Sequence, residues 1–344
     1  MKRIKVLDVF RGLAALGVVI FHYTKYYRSI FDSDAPFFSY GYTGVSFFFI
    51  ISGFVIFLTV KQSRSAGNFI LRRFTRLYPT FWLCLLISTI VVRSIGLPGR
   101  EVSWQASLIN ITMIPKCFGF AEVDGVYWSL LPEFFFYLFM AIIIFTKLSN
   151  KLFFWVLPWL TLCLIRQFIH FPPVISYFLN LNYGFYFISG IMFYQIKFTS
   201  GKKLHYHIII FVSLLIYYLS AKSLTEAILI TLFYAIFYLF IYDKLNWLGN
   251  KVFYFLGAIS FPLYLIHQNI GYIIINYFKR YDSNFPIYWI ILPVLINILI
   301  AAIISKYFEK PIIKVCRKYF ELNANHQLPE MPKEDLYRNK AFEN

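Results

Sequence analysis

Val6-Leu7-Asp8-Val9-Phe10-Arg11-Gly12-Leu13-Ala14-Ala15-Leu16-Gly17-Val18-Val19-Ile20-Phe21-His22-Tyr23-Thr24 is an apolar run broken by one acid, one arginine and one histidine. At about 1.5 Å of rise per residue it crosses nearly the whole hydrocarbon layer of a bilayer, about 30 Å thick. A run at this position can also be a signal peptide. Here Asp8 and Arg11 interrupt the apolar region and no Ala-x-Ala cleavage site follows, so we expect a retained first helix. Nine further runs of about the same length follow, near 37–60, 79–95, 128–147, 151–169, 176–196, 206–220, 224–242, 252–278 and 285–307.

The composition agrees with this reading. Apolar residues make up 59% of the 344 positions and charged residues only 14%, against about 25% charged in an ordinary soluble protein. So few charges cannot cover a soluble domain, and so apolar a chain cannot remain solvated as a disordered one. The expected fold is an all-α polytopic transmembrane helix bundle of about ten spans, formed by residues 1–318. The polar remainder, 319–344, is expected to be a disordered tail. The segment near 96–127 is the longest loop, with room for a short helix; four scattered cysteines show no disulfide or metal spacing, and no metal is expected.

The net charge of +17 raises the question of nucleic acid. Distributed over ten spans with the N-terminus inside, 23 of the 33 Lys and Arg fall on the cytoplasmic side and 9 outside, with Arg11 inside a helix. That asymmetry is the positive-inside signature, so both termini are expected in the cytoplasm. Much of the charge is therefore orientation signal, and no nucleic-acid partner is expected. The expected location is a bacterial inner or plasma membrane, with lipids as partners.

Ionisable groups inside spans are costly and mark function by default. Arg11 and His22 are eleven residues apart, which places them on one helix face about 16 Å apart. Asp8, three residues before Arg11, is in range to pair with it. In the fourth span, Trp128-Ser129-Leu130-Leu131-Pro132-Glu133 carries an acid well inside the apolar run, where helix capping alone does not account for it. Glu133 and His22 both lie toward the outer side, so we expect the carboxylate to meet the imidazole and fix its tautomer. Arg72, Arg73 and Arg76, between the second and third spans, fall at amphipathic spacing on an expected interfacial helix. They suit lipid headgroups or a phosphorylated cytosolic ligand equally. Ser52, within Gly44-Val45-Ser46-Phe47-Phe48-Phe49-Ile50-Ile51-Ser52-Gly53-Phe54, permits close helix contact. His267, a few residues after Pro262 and Tyr264, is either a polar bridge between helices or a second site residue.

Together these segments resemble the acyltransferase 3 family of integral membrane acyltransferases. The resemblance rests on the Arg11–His22 spacing, the Gly-Val-x-x-Phe-Phe-x-x-Ser-Gly-Phe run at 44–54, and Arg73-Phe74-Thr75-Arg76-Leu77-Tyr78-Pro79. It also rests on Trp128-Ser129-Leu130 with Glu133, on Ser260, Tyr264 and His267, and on Phe308-Glu309-Lys310-Pro311. Ser46 departs from it, since many members have an acid there. The resemblance implies an O-acetyltransferase taking an acyl group, usually acetyl, from cytosolic acetyl-CoA to a hydroxyl of an extracytoplasmic or lipid-linked glycan. It implies that Arg11, Arg72, Arg73 and Arg76 hold the coenzyme A phosphates. His22 would act as general base or be acylated transiently, with Glu133 supporting it and Asp8, Ser52, Tyr264 and His267 assisting. A glycolipid transporter with the same polar residues along a pathway is the alternative; its inverted repeats are not seen in the sequence.

Overall fold

The computed structural model describes residues 4–31, 34–221, 223–282 and 286–325. Its helices in chain order are α1 (Lys5–Phe31), α2 (Gly44–Gln62), α3 (Ala66–Ile95), α4 (Trp104–Asn110), α5 (Leu130–Phe145), α6 (Leu152–Ile165) and α7 (Pro173–Phe178). They continue with α8 (Gly184–Phe198), α9 (Leu204–Ser220), α10 (Leu224–Ile241), α11 (Lys251–Tyr281), α12 (Ile291–Ile304) and α13 (Lys310–Asn325). No strand occurs among the described residues.

Seven segments are long and apolar enough to cross a membrane: α1, α2, α3, α5, α10, α11 and the run of α12 into α13. Helices α6 and α9 are apolar but shorter. Outward-facing Leu86, Phe211 and Leu299 are 56%, 60% and 61% exposed. A helix that is apolar on its outside as well as its inside needs lipid as solvent. This is a helical bundle of a multi-pass membrane protein.

Two helix pairs set the frame, and small residues make both. Helices α1 and α11 run parallel, with contacts stepping from Gly12–Gly257 through His22–His267 to Tyr26–Asn276. A Cβ on Gly12 would lie 2.6 Å from the Gly257 nitrogen, so the backbones meet here without side chains between them. Helices α2 and α8 pack the same way, and a Cβ on Gly190 would lie 2.9 Å from the Gly53 Cα. All thirteen residues of α8 from Gly184 to Ile196 are buried. That central position explains why this segment has the more polar sequence: it faces protein, not lipid.

Two expectations change. The Arg72–Arg76 stretch is not a separate interfacial helix. It forms the early turns of the continuous 30-residue α3, which is capped by Ser65 accepting from the Asn68 N–H at 3.2 Å and passes through Pro79. A proline is tolerated inside such a helix where neighbours satisfy the freed carbonyl. At the other end α13 remains helical to Asn325, past the expected boundary at 319. The rest of the expected tail, 326–344, lies outside the described residues.

Candidate active site

A cavity of about 790 Å³ opens between α1, α2, α3, α5 and α11, within the range of small-molecule sites. We call the end where α1 and α3 begin the basic end. Arg64, Arg72 and Arg76 line the cavity there, Arg11, Ser52 and Glu133 line its middle, and Ser129 and Tyr264 lie deepest. The structure thus brings Arg11, Arg72, Arg73, Arg76, Ser52, Glu133 and Tyr264 to one cavity, while His22, His267 and Asp8 do not line it.

The four arginines are not equivalent. Arg73 donates to the Thr59 hydroxyl, and its guanidinium carbon lies 5.8 Å from the ring centres of both Phe69 and Tyr137. Arg76 pairs with Glu309, which is only 2% exposed. A five-residue π-helical stretch, Ser305–Glu309, ends on that glutamate; such widened turns re-aim a side chain without ending the helix. Arg72 is exposed at the mouth. Arg11 and Asp8 interact by charge but form no salt bridge among the described residues, so the close pair that their spacing allows is not made. Asp8 instead turns into the α1–α11 seam, 6% exposed and against Gly257, while Arg11 faces the cavity.

The expected contact between Glu133 and His22 is not formed either. Glu133 accepts from the Ser52 hydroxyl at 3.3 Å and from the Tyr137 hydroxyl one turn along α5. These partners hold it in the cavity wall. His22 meets His267 instead, with Nδ1 of the first 2.9 Å from Nε2 of the second. Both come from the parallel α1–α11 pair, whose glycine contact fixes the register.

The hydrogen bonds around His267 determine the protons. Its Nδ1 lies 2.8 Å from the Tyr264 carbonyl and 3.2 Å from the Leu263 carbonyl. A carbonyl only accepts, so Nδ1 carries the hydrogen. In the neutral ring Nε2 is then a lone pair and accepts from His22 Nδ1–H. The neutral His22 ring is left with its lone pair on Nε2, the geometry of a general base. His267 is 0% exposed, and Tyr23 reinforces its position by donating to its carbonyl at 2.8 Å. Asn297 of α12 donates in turn to the Tyr23 hydroxyl at 2.9 Å.

The histidine pair lies beyond the deep end of the cavity. Tyr264, one turn before His267, separates them, its hydroxyl 2.7 Å from the Ser129 hydroxyl and donating to the Val126 carbonyl at 3.2 Å. Sequence reading missed Tyr23, Asn297 and Glu309 as site residues. Asn297 had a signal, a lone amide within an apolar span, while Tyr23 was hidden among many aromatics.

A family model described as an acyltransferase domain matches residues 4–306. The chain belongs to this acyltransferase family. Among curated proteins, "Acyltransferase MdmB" of Streptomyces mycarofaciens is 32% identical over 105 residues, covering 28% of this chain and 27% of that protein. "Putative O-acetyltransferase SACOL0978" of Staphylococcus aureus (strain COL) is 24% identical over 369 aligned residues, covering 91% of this chain and 58% of that protein. The chain thus spans less than two thirds of the length of either relative. No solved structure matches it. The Arg11–His22 face and the arginine-lined cavity are features of the matched region.

Proposed function

We propose that this acyltransferase transfers an acetyl group from acetyl-CoA, entering from the cytoplasm, to a hydroxyl of a cell-surface or lipid-linked glycan on the opposite side. The observation that carries this reading is the tautomer chain from the Tyr264 carbonyl through His267 to His22, which leaves His22 Nε2 unprotonated beyond the Tyr264 end of an arginine-mouthed cavity.

The basic end is read as cytoplasmic, in keeping with the positive-inside asymmetry. Arg72 and Arg64 at the mouth, with Arg76 exchanging its glutamate partner for phosphate, suit the coenzyme A phosphates. The pantetheine arm then extends past Arg11 and Glu133 toward Tyr264. From Arg11 to His22 is about 16 Å along α1, a distance that an extended arm of this kind covers. Arg73, already held by Thr59 and two rings, shapes the wall more than it binds donor.

In the transfer step His22 Nε2 accepts the proton of the acceptor hydroxyl as its oxygen attacks the thioester carbonyl carbon. The new C–O bond forms, the C–S bond breaks, and the departing thiolate receives the proton from His22. His267 does not touch substrate; it positions His22 and stabilises the imidazolium by accepting from Nδ1–H. Glu133, held by the Ser52 and Tyr137 hydroxyls, supplies negative charge near Arg11 and takes no part in proton transfer in this reading.

The test compares the O-acetyl content of surface glycans in cells carrying the protein, lacking it, or carrying His22→Ala expressed to the same level. Acetylation that requires the protein and is lost in His22→Ala supports the reading. Equal O-acetylation in all three rejects it.

A further inference from the structure

Arg100 lies in the link between α3 and α4, at the end of the bundle away from the basic cavity mouth, and no step described above uses it. Its guanidinium carbon is 5.4 Å from the centre of the Tyr272 ring. Tyr272 stacks on Tyr26 at 3.8 Å with the planes 6° apart. Tyr26 is about one turn beyond His22, and Tyr272 almost one and a half turns beyond His267. The stacked rings thus roof the histidine pair, and Arg100 stands against the roof.

The acid that faces this cation is Asp124, which it attracts by charge without forming an ion pair. Among the described residues its side chain enters no salt bridge. Asp124 is fully buried, and both its oxygens are committed to the backbone: Oδ1 accepts from the Val126 N–H at 3.2 Å and Oδ2 from the Asn269 N–H at 3.1 Å. Elsewhere at this end Arg28 faces Asp34 at 3.7 Å and Lys116 faces Glu122 at 2.9 Å. Lys25, exposed one turn beyond His22, adds a second positive charge whose field reaches that ring together with that of Arg100. Gly125 keeps the space clear. A Cβ there would lie 2.7 Å from Arg100 Nη1 and 2.5 Å from the buried Gln268 Oε1, which itself has no hydrogen-bond partner.

We propose that the Arg100 guanidinium, beside the Tyr26–Tyr272 stack, is an acceptor-binding site for an anionic group, a phosphate or carboxylate carried by the saccharide. Arg suits such a group because its planar donors bond two oxygens at once. The unpaired Gln268 Oε1 next to it suits a sugar hydroxyl. The proposal rests on the reading of the acceptor as a glycan, and it adds that the glycan is charged near the acylated hydroxyl.

The experiment measures binding without donor, so it does not depend on turnover. The full chain in nanodiscs is titrated with three matched oligosaccharides: one neutral, one with a uronate, one with a phosphodiester. The expected result is binding of at least one anionic saccharide about tenfold or more tighter than the neutral one, the factor of a charge-assisted hydrogen bond. Arg100→Gln should remove that margin and Arg100→Lys restore part of it. Gly125→Ala, which keeps the charge but displaces the guanidinium, should also weaken the anionic ligands while the thermal midpoint reports folding. A uronate preference identifies a carboxylate and a phosphodiester preference a phosphate. Equal binding of all three saccharides, no binding of any, or an unchanged margin in Arg100→Gln overturns the proposal. The reading of the protein as a glycan acetyltransferase fails separately, if no saccharide of any charge is acetylated.

Discussion

Gly12→Ala tests the link between packing and chemistry at a distance from both. Alanine is a better helix former than glycine by up to about 1 kcal/mol, so propensity alone predicts a more stable protein. The α1–α11 seam opposes this. The added Cβ would stand 2.6 Å from the Gly257 nitrogen, 2.7 Å from the Leu256 carbonyl carbon and 2.8 Å from the Leu256 Cβ. Ordinary contact begins near 3.4 Å and two of the three obstacles are backbone, so the helices must part by about 0.8 Å. If the parting carries along the parallel pair, the His22–His267 separation grows from 2.9 Å to about 3.7 Å, past hydrogen-bonding range. Acetyl transfer in proteoliposomes should then fall roughly ten- to hundredfold in kcat, since displacements of about 1 Å cost about that much. The KM for acetyl-CoA should change much less. Gly17→Ala is the control on the same helix, because its new Cβ meets only a Phe38 ring carbon at an ordinary 3.8 Å. Wild-type turnover in Gly12→Ala would refute the argument that this glycine contact sets the register of the histidine pair.

Other substitutions separate the remaining roles. His267→Phe removes the acceptor for His22 Nδ1–H and should lower kcat about 100-fold or more at little change in donor KM; equal loss with His267→Gln and His267→Phe would argue for packing alone. Arg72→Gln, at an exposed position, should raise the acetyl-CoA KM about tenfold without changing the thermal midpoint. Arg73→Gln should lower the midpoint, because it loses Thr59 and two aromatic faces. Arg76→Gln strands the buried Glu309 and should cost about 3 kcal/mol in unfolding free energy. Adding Glu309→Gln should recover much of that stability while the donor KM stays raised, a split that simple misfolding would not produce.

Much of this arrangement is legible in the sequence, and the rest fails for a definable reason. Helix positions follow from apolar run length: each of the ten expected runs contains a helix, and seven helical segments are long and apolar enough to cross a membrane. The Arg11–His22 face follows from helical rotation alone. What one sequence does not contain is the rotation of one helix against another. Glu133 and His22 sit at compatible depths, yet Glu133 is turned to Ser52 and Tyr137, and His22 to His267. Depth is a one-dimensional quantity and pairing is not. The seam that decides the pairing is marked by Gly12 and Gly257, residues that read as generic small positions until the two helices are seen together. Arg100 was legible only as an outside charge, because a loop carries no periodicity to say where it folds back.

The central claim is that His22, held by His267, moves acetyl groups across the membrane from donor to glycan. The most direct measurement places labelled acetyl-CoA on the arginine side of oriented proteoliposomes and a glycan acceptor on the other, and compares wild type with His22→Gln. The account predicts ester-linked label in the glycan for wild type, and for His22→Gln a loss of about a thousandfold with acetyl-CoA binding intact. Transfer at the wild-type rate by His22→Gln, or transfer only when donor and acceptor share one side, would contradict it.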